Sequence, residues 1–180
     1  MSNEKVLFPC VKDGEIFKVG GIEFIKFPSV NGKTPVVAKD ILFSSRFGAE
    51  NNNLIKSRVL ERLETEILPK IVAEVGVENV CTFETDLTTL DGLKPYGVME
   101  SRISLPTFDF YRANVEIFDK HPVKNWWWLA TPDSAKPHYD PVWTVCVSPS
   151  GDILSDVYDC DHGVRPILFF ESSIFESFEE

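Results

Sequence analysis

The 180-residue chain predicts an α+β fold with two helices inserted between β-rich ends. Three observations carry this expectation. A hairpin signal stands near the start, two stretches of helical periodicity occupy the middle, and short apolar runs separated by Pro, Asp, Ser and Gly close the chain. With 43% hydrophobic and 12% aromatic residues there is ample material for one core, and the length fits a single domain over 1–180.

In EIFKVGGIEFIKFPSVNGKTPVVAKDILF the apolar side chains alternate, Ile22 and Phe24 to one face and Ile25 and Phe27 to the other. Asn31-Gly32 between apolar runs predicts an N-terminal β-hairpin. The polar stretch SSRFGAENNN ends in residues suited to capping a helix. NLIKSRVLERLETEILPKIVAEVG then places Leu60, Leu63, Ile67, Leu68, Ile71, Val72 and Val75 at helical spacing. Gly76 is the expected stop, and Pro69 is expected to kink the helix or split it. Lys56, Arg58, Arg62 and Lys70 interleave with Glu61, Glu64 and Glu66, the pattern of a salt-bridged solvent face rather than a nucleic-acid patch.

DLTTLDGLKPYG reads as a turn-rich connection. Thr107 to Lys120 predicts a second, shorter helix with Phe108, Tyr111, Val115 and Phe118 on one side. NWWWLA, VWTVCVS, GDIL and VRPILFF are the strand candidates of a loop-rich C-terminal β-region. Three consecutive tryptophans in a strand must point alternately, Trp126 and Trp128 one way and Trp127 the other. Either both faces of that strand are covered or an indole reaches the surface.

The formal net charge is −10, and it is unevenly spread. From Asp133 to Glu180 two basic residues oppose ten acidic ones, a balance of −8 that includes an acidic tail over 171–180. Such a field repels phosphate backbones and attracts basic surfaces, so direct nucleic-acid binding is disfavoured and a protein partner with a basic surface is expected. No run approaches the roughly 18 apolar residues of a membrane helix, and the N-terminus lacks an apolar signal segment; a cytoplasmic protein without membrane contact is expected, with display on a virion or cell surface as the alternative. Cys10, Cys81, Cys146 and Cys160 are scattered and read as reduced thiols.

Motifs for chemistry are weak. Asp152, Asp156, Asp159 and Asp161 could feed calcium with oxygen ligands, but their spacing does not match an alternate-residue acidic loop ending in Glu, and a solvated acidic loop is the stronger reading. Cys160 and His162 form one close pair without the second pair that structural zinc needs. No nucleophile motif surrounds any Ser or Cys, Cys146 between Val145 and Val147 reads as a core strand residue, and there is no phosphate loop. No cofactor, no metal and no enzymatic activity are expected.

Trp127-Trp128-Leu129-Ala130-Thr131-Pro132, Ser148-Pro149-Ser150-Gly151 and Gly163-Val164-Arg165-Pro166 together resemble a phage and gut-bacterial family. Its members end in Trp-Trp-Leu-x-[Ser/Thr]-Pro followed by Gly-Val-Arg-Pro. That family is similar in turn to the C-type-lectin-like and formylglycine-generating-enzyme-like folds. With the weaker hairpin and helix pattern the resemblance extends over 15–170. It implies a C-type-lectin-like core, a phage or mobile-element setting, and variable recognition loops, which in some relatives are rewritten by diversity-generating retroelements. It also implies that NWWWLATP is a core strand near the sheet centre, with Trp126 or Trp127 as a partial exception.

The segment 133–162 has the chemistry of recognition, rigid aromatic area beside adaptable polar groups. Its candidate binding residues are Asp133, His138, Tyr139, Asp140, Trp143, Asp152, Asp156, Tyr158, Asp159, Asp161 and His162, with Trp143 expected at the surface. Arg165 is expected to anchor loops by bidentate bonding to carbonyls or a carboxylate. The leading expectation is a non-enzymatic binding module of phage or mobile-element origin that recognises a protein or glycan partner through loops 133–162. The alternative is an intracellular anti-defence protein, such as an anti-CRISPR inhibitor, whose acidic quarter blocks a basic nucleic-acid-binding surface.

Overall fold

A computed structural model describes residues 8–136 and 142–176. The chain is α+β, with most of its regular structure in sheets. Strands β1 (Ile16–Val19), β2 (Ile22–Lys26) and β3 (Lys33–Ala38) form two successive hairpins. The expected Asn31-Gly32 turn is present, both residues at positive φ (51° and 76°), as a two-residue hairpin turn requires. Gly20-Gly21 turns the first hairpin in the same way, at φ 59° and 78°.

After β4 (Phe43–Arg46), Ser57 accepts a hydrogen bond from Leu60 N at 3.0 Å and opens helix α1 (Arg58–Arg62). A π-helical turn over Leu63–Ile67 follows, in which Leu68 N reaches back to Leu63 O, before α2 (Leu68–Val75). The expected interruption at Pro69 takes this form. Proline has no N–H for the carbonyl one turn back and its ring crowds that carbonyl, so the helix widens just before it. Arg62 and Glu66 pair on the outer face, Nε to Oε1 at 3.0 Å.

The connection 86–97 bridges β5 (Phe83–Asp86) and β6 (Val98–Ser101), a small separate ribbon. The helix expected over Thr107–Lys120 is two short pieces, α3 (Phe108–Ala113) and α4 (Val115–Phe118). Thr107 caps the first through Phe110 N, and Asn114, at φ −125°, breaks the register between them. The break corrects one expectation. Tyr111 and Phe118 are buried, but Val115 is turned out to 39% exposure.

The remaining strands are β7 (Trp127–Pro132), β8 (Trp143–Val147), β9 (Ile153–Val157), β10 (Asp161–Val164) and β11 (Ile167–Glu171). One sheet has the order β1-β2-β3-β11 and the other β4-β10-β7-β8-β9. The two sheets share their chain. β3 and β4 run antiparallel to β11 and β10, but between the pairs Val37↔Ile167 and Phe43↔Val164 five residues oppose two. Arg165 and Pro166 sit at this kink. Ala38 N donates to Pro166 O at 3.0 Å, and Arg165 Nε donates to Ala38 O at 3.0 Å.

β7 lies in the middle of its sheet, and both of its faces are covered. Trp128 and Ala130 enter one core cluster, with Phe47, Leu63 and Cys146; Trp127 and Leu129 enter the other, with Tyr111, Phe118 and Val145. Trp128 Nε1 donates to Ser45 O at 2.9 Å, so its polar atom is satisfied. Trp127 is no exception to burial; only Trp126 is partly exposed. Among the described residues no helix is long and apolar enough to cross a membrane.

Candidate functional site

Within the predicted recognition segment, residues 143–157 form a hairpin rather than a set of loops. β8 and β9 pair from Trp143↔Val157 to Val147↔Ile153, joined by the turn 148–152, and β9 forms one edge of the sheet. Thr144 to Val147 are buried, while Trp143 is 43% and Leu154 47% exposed. Trp143 therefore stands at the surface as expected. Leu154 was missed, although the alternation Ile153 inward, Leu154 outward is legible in GDIL.

Asp133 and Trp143 are brought together, Asp133 N donating to Trp143 O at 3.0 Å. Asn52 fixes the same point. Fully buried, it donates from Nδ2 to Trp143 O at 2.8 Å and to Ser134 O at 3.0 Å, and its Oδ1 accepts from the Tyr96 hydroxyl at 2.7 Å. Tyr158 joins this end through its amide to Val142 O and packs partly on the core; Asp159 and Asp161 beside it are exposed. Asp152 lies in the opposite turn, bonded to Ser148, about 15 Å away by the usual strand rise. His138, Tyr139 and Asp140 lie outside the described residues.

His162 and Asp156 face each other rather than solvent. His162 Nε2 and Asp156 Oδ2 are 2.8 Å apart. The imidazole stacks on Trp126 at 6.0 Å between centroids and packs against Trp128 at 4.4 Å. Burial pushes the Asp156 carboxyl up, but the Val157 amide, His162 and Cys160 together hold it below the ordinary range.

Cys160 Sγ approaches Asp156 Oδ1 at 3.5 Å, so the carboxylate sits between thiol and imidazole. A nucleophilic relay needs the imidazole in that place. Burial, then Asp156, raises the Cys160 thiol, and burial, followed by Asp156 and Cys160, carries Cys146 up to about 12. All four cysteines are free. Among the described residues no group of three or more His, Cys, Asp or Glu is arranged to hold a metal ion.

The C-terminal quarter has little free positive charge of its own, while the exposed Arg46 of β4 stands opposite Asp161 of β10. Of the two cations after residue 132, Arg165 is 2% exposed and Lys136 Nζ is bound to Asp91 Oδ2 at 3.2 Å. Asp91 also accepts from Thr89 and Ser134, which hold its carboxyl down at about 2.

No family model, no curated protein and no solved structure matches this chain.

Proposed function

We propose that this chain is a non-catalytic binding module that recognises a protein partner with a basic surface. The contact is made by the end of the β8–β9 hairpin that carries Asp133, Trp143, Asp159 and Asp161. The observation that carries the reading is the exposed Trp143 at the same end as the exposed Asp159 and Asp161, with Lys136, the cation of its own segment, paired to Asp91. An exposed indole gives rigid contact area, and unpaired carboxylates around it give attraction and orientation.

The finer sequence resemblance belongs to the same proposal: a C-type-lectin-like module of phage or mobile-element origin, acting in the cytoplasm of a host cell. The element order supports it, with two helical segments between N-terminal hairpins and a terminal β-region presenting Trp143. The charge distribution favours, within this class, the anti-defence reading in which the acidic end occupies a basic nucleic-acid channel.

The test is a pull-down with the full chain from a host-type lysate containing a guide-loaded CRISPR effector, at low and high salt. Wild type is run beside Trp143→Ala and the triple variant Asp133→Asn, Asp159→Asn, Asp161→Asn; Asp152 and Asp156 are left intact because they are bonded within the fold. Exposed charges are screened over about 8 Å at physiological ionic strength. Capture of the effector that is lost in high salt and in the triple variant supports channel blocking. Capture of a protein or glycan that survives salt but not Trp143→Ala supports aromatic recognition. Retention unaffected by every variant refutes the proposed surface.

A further inference from the structure

Arg165 is the most completely buried cation of the described chain, and its bonding is incomplete. Nε is committed to Ala38 O. Two aromatic rings that also pack on each other, centroids 5.7 Å apart, lie to one side of the guanidinium, Trp127 with its centroid 4.6 Å from Cζ and Phe118 at 5.6 Å. Nη2 is buried without a hydrogen-bond partner, and among the described residues no carboxylate forms an ion pair with this arginine. The expected bidentate anchor is therefore absent.

Arg165 contributes to the wall of a cavity of about 280 Å³ between α4 and the 148–152 turn. Tyr111, Phe118, Val123 and Trp127 supply its apolar and aromatic wall, and Ser150 lies on the exposed rim. The Tyr111 hydroxyl donates to Gly151 O at 3.2 Å and ties the rim to the helix. Asp119 also lines the cavity, a single carboxylate at its solvent-exposed margin.

With Nε bonded to Ala38 O and Nη2 without a partner, the donors left to this arginine are those of the Nη end. That edge matches a carboxylate end-on, two parallel N–H···O bonds to two oxygens. We propose that this cavity binds a small organic carboxylate, its anionic group on the Arg165 guanidinium and its apolar part against Phe118, Val123 and Trp127. The site is separate from the hairpin end assigned to partner recognition, so either reading can fail without the other.

The full chain is titrated calorimetrically with benzoate, with neutral benzamide and with inorganic phosphate, at constant ionic strength. Benzoate binds and benzamide does not. Arg165→Met, which removes the fork, weakens benzoate at least tenfold, the scale of a lost charged hydrogen bond. Ser150→Trp fills the rim with Arg165 intact, at an exposed position that does not endanger folding, and it weakens benzoate likewise while leaving the melting temperature unchanged. If Arg165→Met fails to fold, the Ser150→Trp result decides alone. Equal response to benzamide, undiminished benzoate binding in Ser150→Trp, or no benzoate binding at all overturns the proposal. Phosphate binding without benzoate binding overturns the carboxylate assignment.

Discussion

Replacing Arg165 by Met separates an arginine that holds the fold together from one that the fold merely tolerates. Burial lowers its basicity from the ordinary arginine range to about 10, with Asp40 and Tyr111 opposing the shift only at a distance. At about 1.4 kcal/mol per unit, the buried charge costs roughly 3 kcal/mol. Two interactions offset this. The Nε bond to Ala38 O contributes about 1.5–3 kcal/mol, and the packing on Trp127 and Phe118 about 1–2 kcal/mol.

The contributions nearly cancel, and a methionine of similar length refills most of the space without the desolvation cost. The expected change is within about 1 kcal/mol of zero, measured as the urea midpoint at constant slope, or within about 4 °C in Tm. The sign with pH follows. A base whose folded pKa is depressed carries its penalty in full below about 10, and the penalty fades as pH rises from there toward the ordinary arginine range, where the unfolded chain binds the extra proton. A loss of 3–5 kcal/mol in Arg165→Met would mark a fully satisfied buried cation and refute the reasoning, and with it the free Nη donors of the carboxylate site.

Asn52→Ala should lower stability by about 2–4 kcal/mol in urea unfolding, since it strips bonds from two carbonyls and the Tyr96 hydroxyl in the interior; Tyr96→Phe should cost about 1 kcal/mol. Iodoacetamide labelling read by mass spectrometry should modify the exposed Cys10 first, with Cys81 and Cys146 protected until denaturant is added; early labelling of Cys146 would contradict its buried place in β8. Burial, then Glu171, lifts Cys81 to about 11, and burial lifts Cys146 to about 12. Both neutral thiols therefore favour the fold below pH 9, and that stability is lost as pH rises from there through these values. Gly20→Ala should destabilise the first hairpin by more than 1 kcal/mol, because the position needs positive φ and an added Cβ would meet Lys70 O at 2.9 Å; hydrogen exchange of β1 and β2 reads it.

Local chemistry made much of the fold legible. Asn31-Gly32 permits few backbones other than its turn, and the apolar spacing of residues 60–75 permits few elements other than a helix facing a core. Long-range pairing was less legible. Nothing local says that Asn114 breaks a helix rather than continuing it, since its amide simply bonds back to Phe110 O at 2.9 Å. The candidate site was legible where a side chain faces solvent on its own account, as at Trp143. It was hidden where partners come from distant segments. Asn52 meets residues 82 and 91 positions away, and His162 lies between Trp126 and Trp128 from another strand.

The Gly-Val-Arg-Pro run shows why a motif and a function are different evidence. An added Cβ on Gly163 would run into the Ile41 side chain, so close packing alone requires glycine there. Val164 is wholly buried in the core, and Pro166 accepts Ala38 N at the kink where the two sheets share their chain. Three of the four residues are thus explained by the junction, which any chain folding this way would need whatever it binds. Arg165 is different. Its Nε serves the junction, but a smaller or apolar residue would span the kink without bringing unpaired donors into the interior. A buried guanidinium left unsatisfied beside a cavity exceeds what the junction demands, and the surplus is what a carboxylate ligand would use.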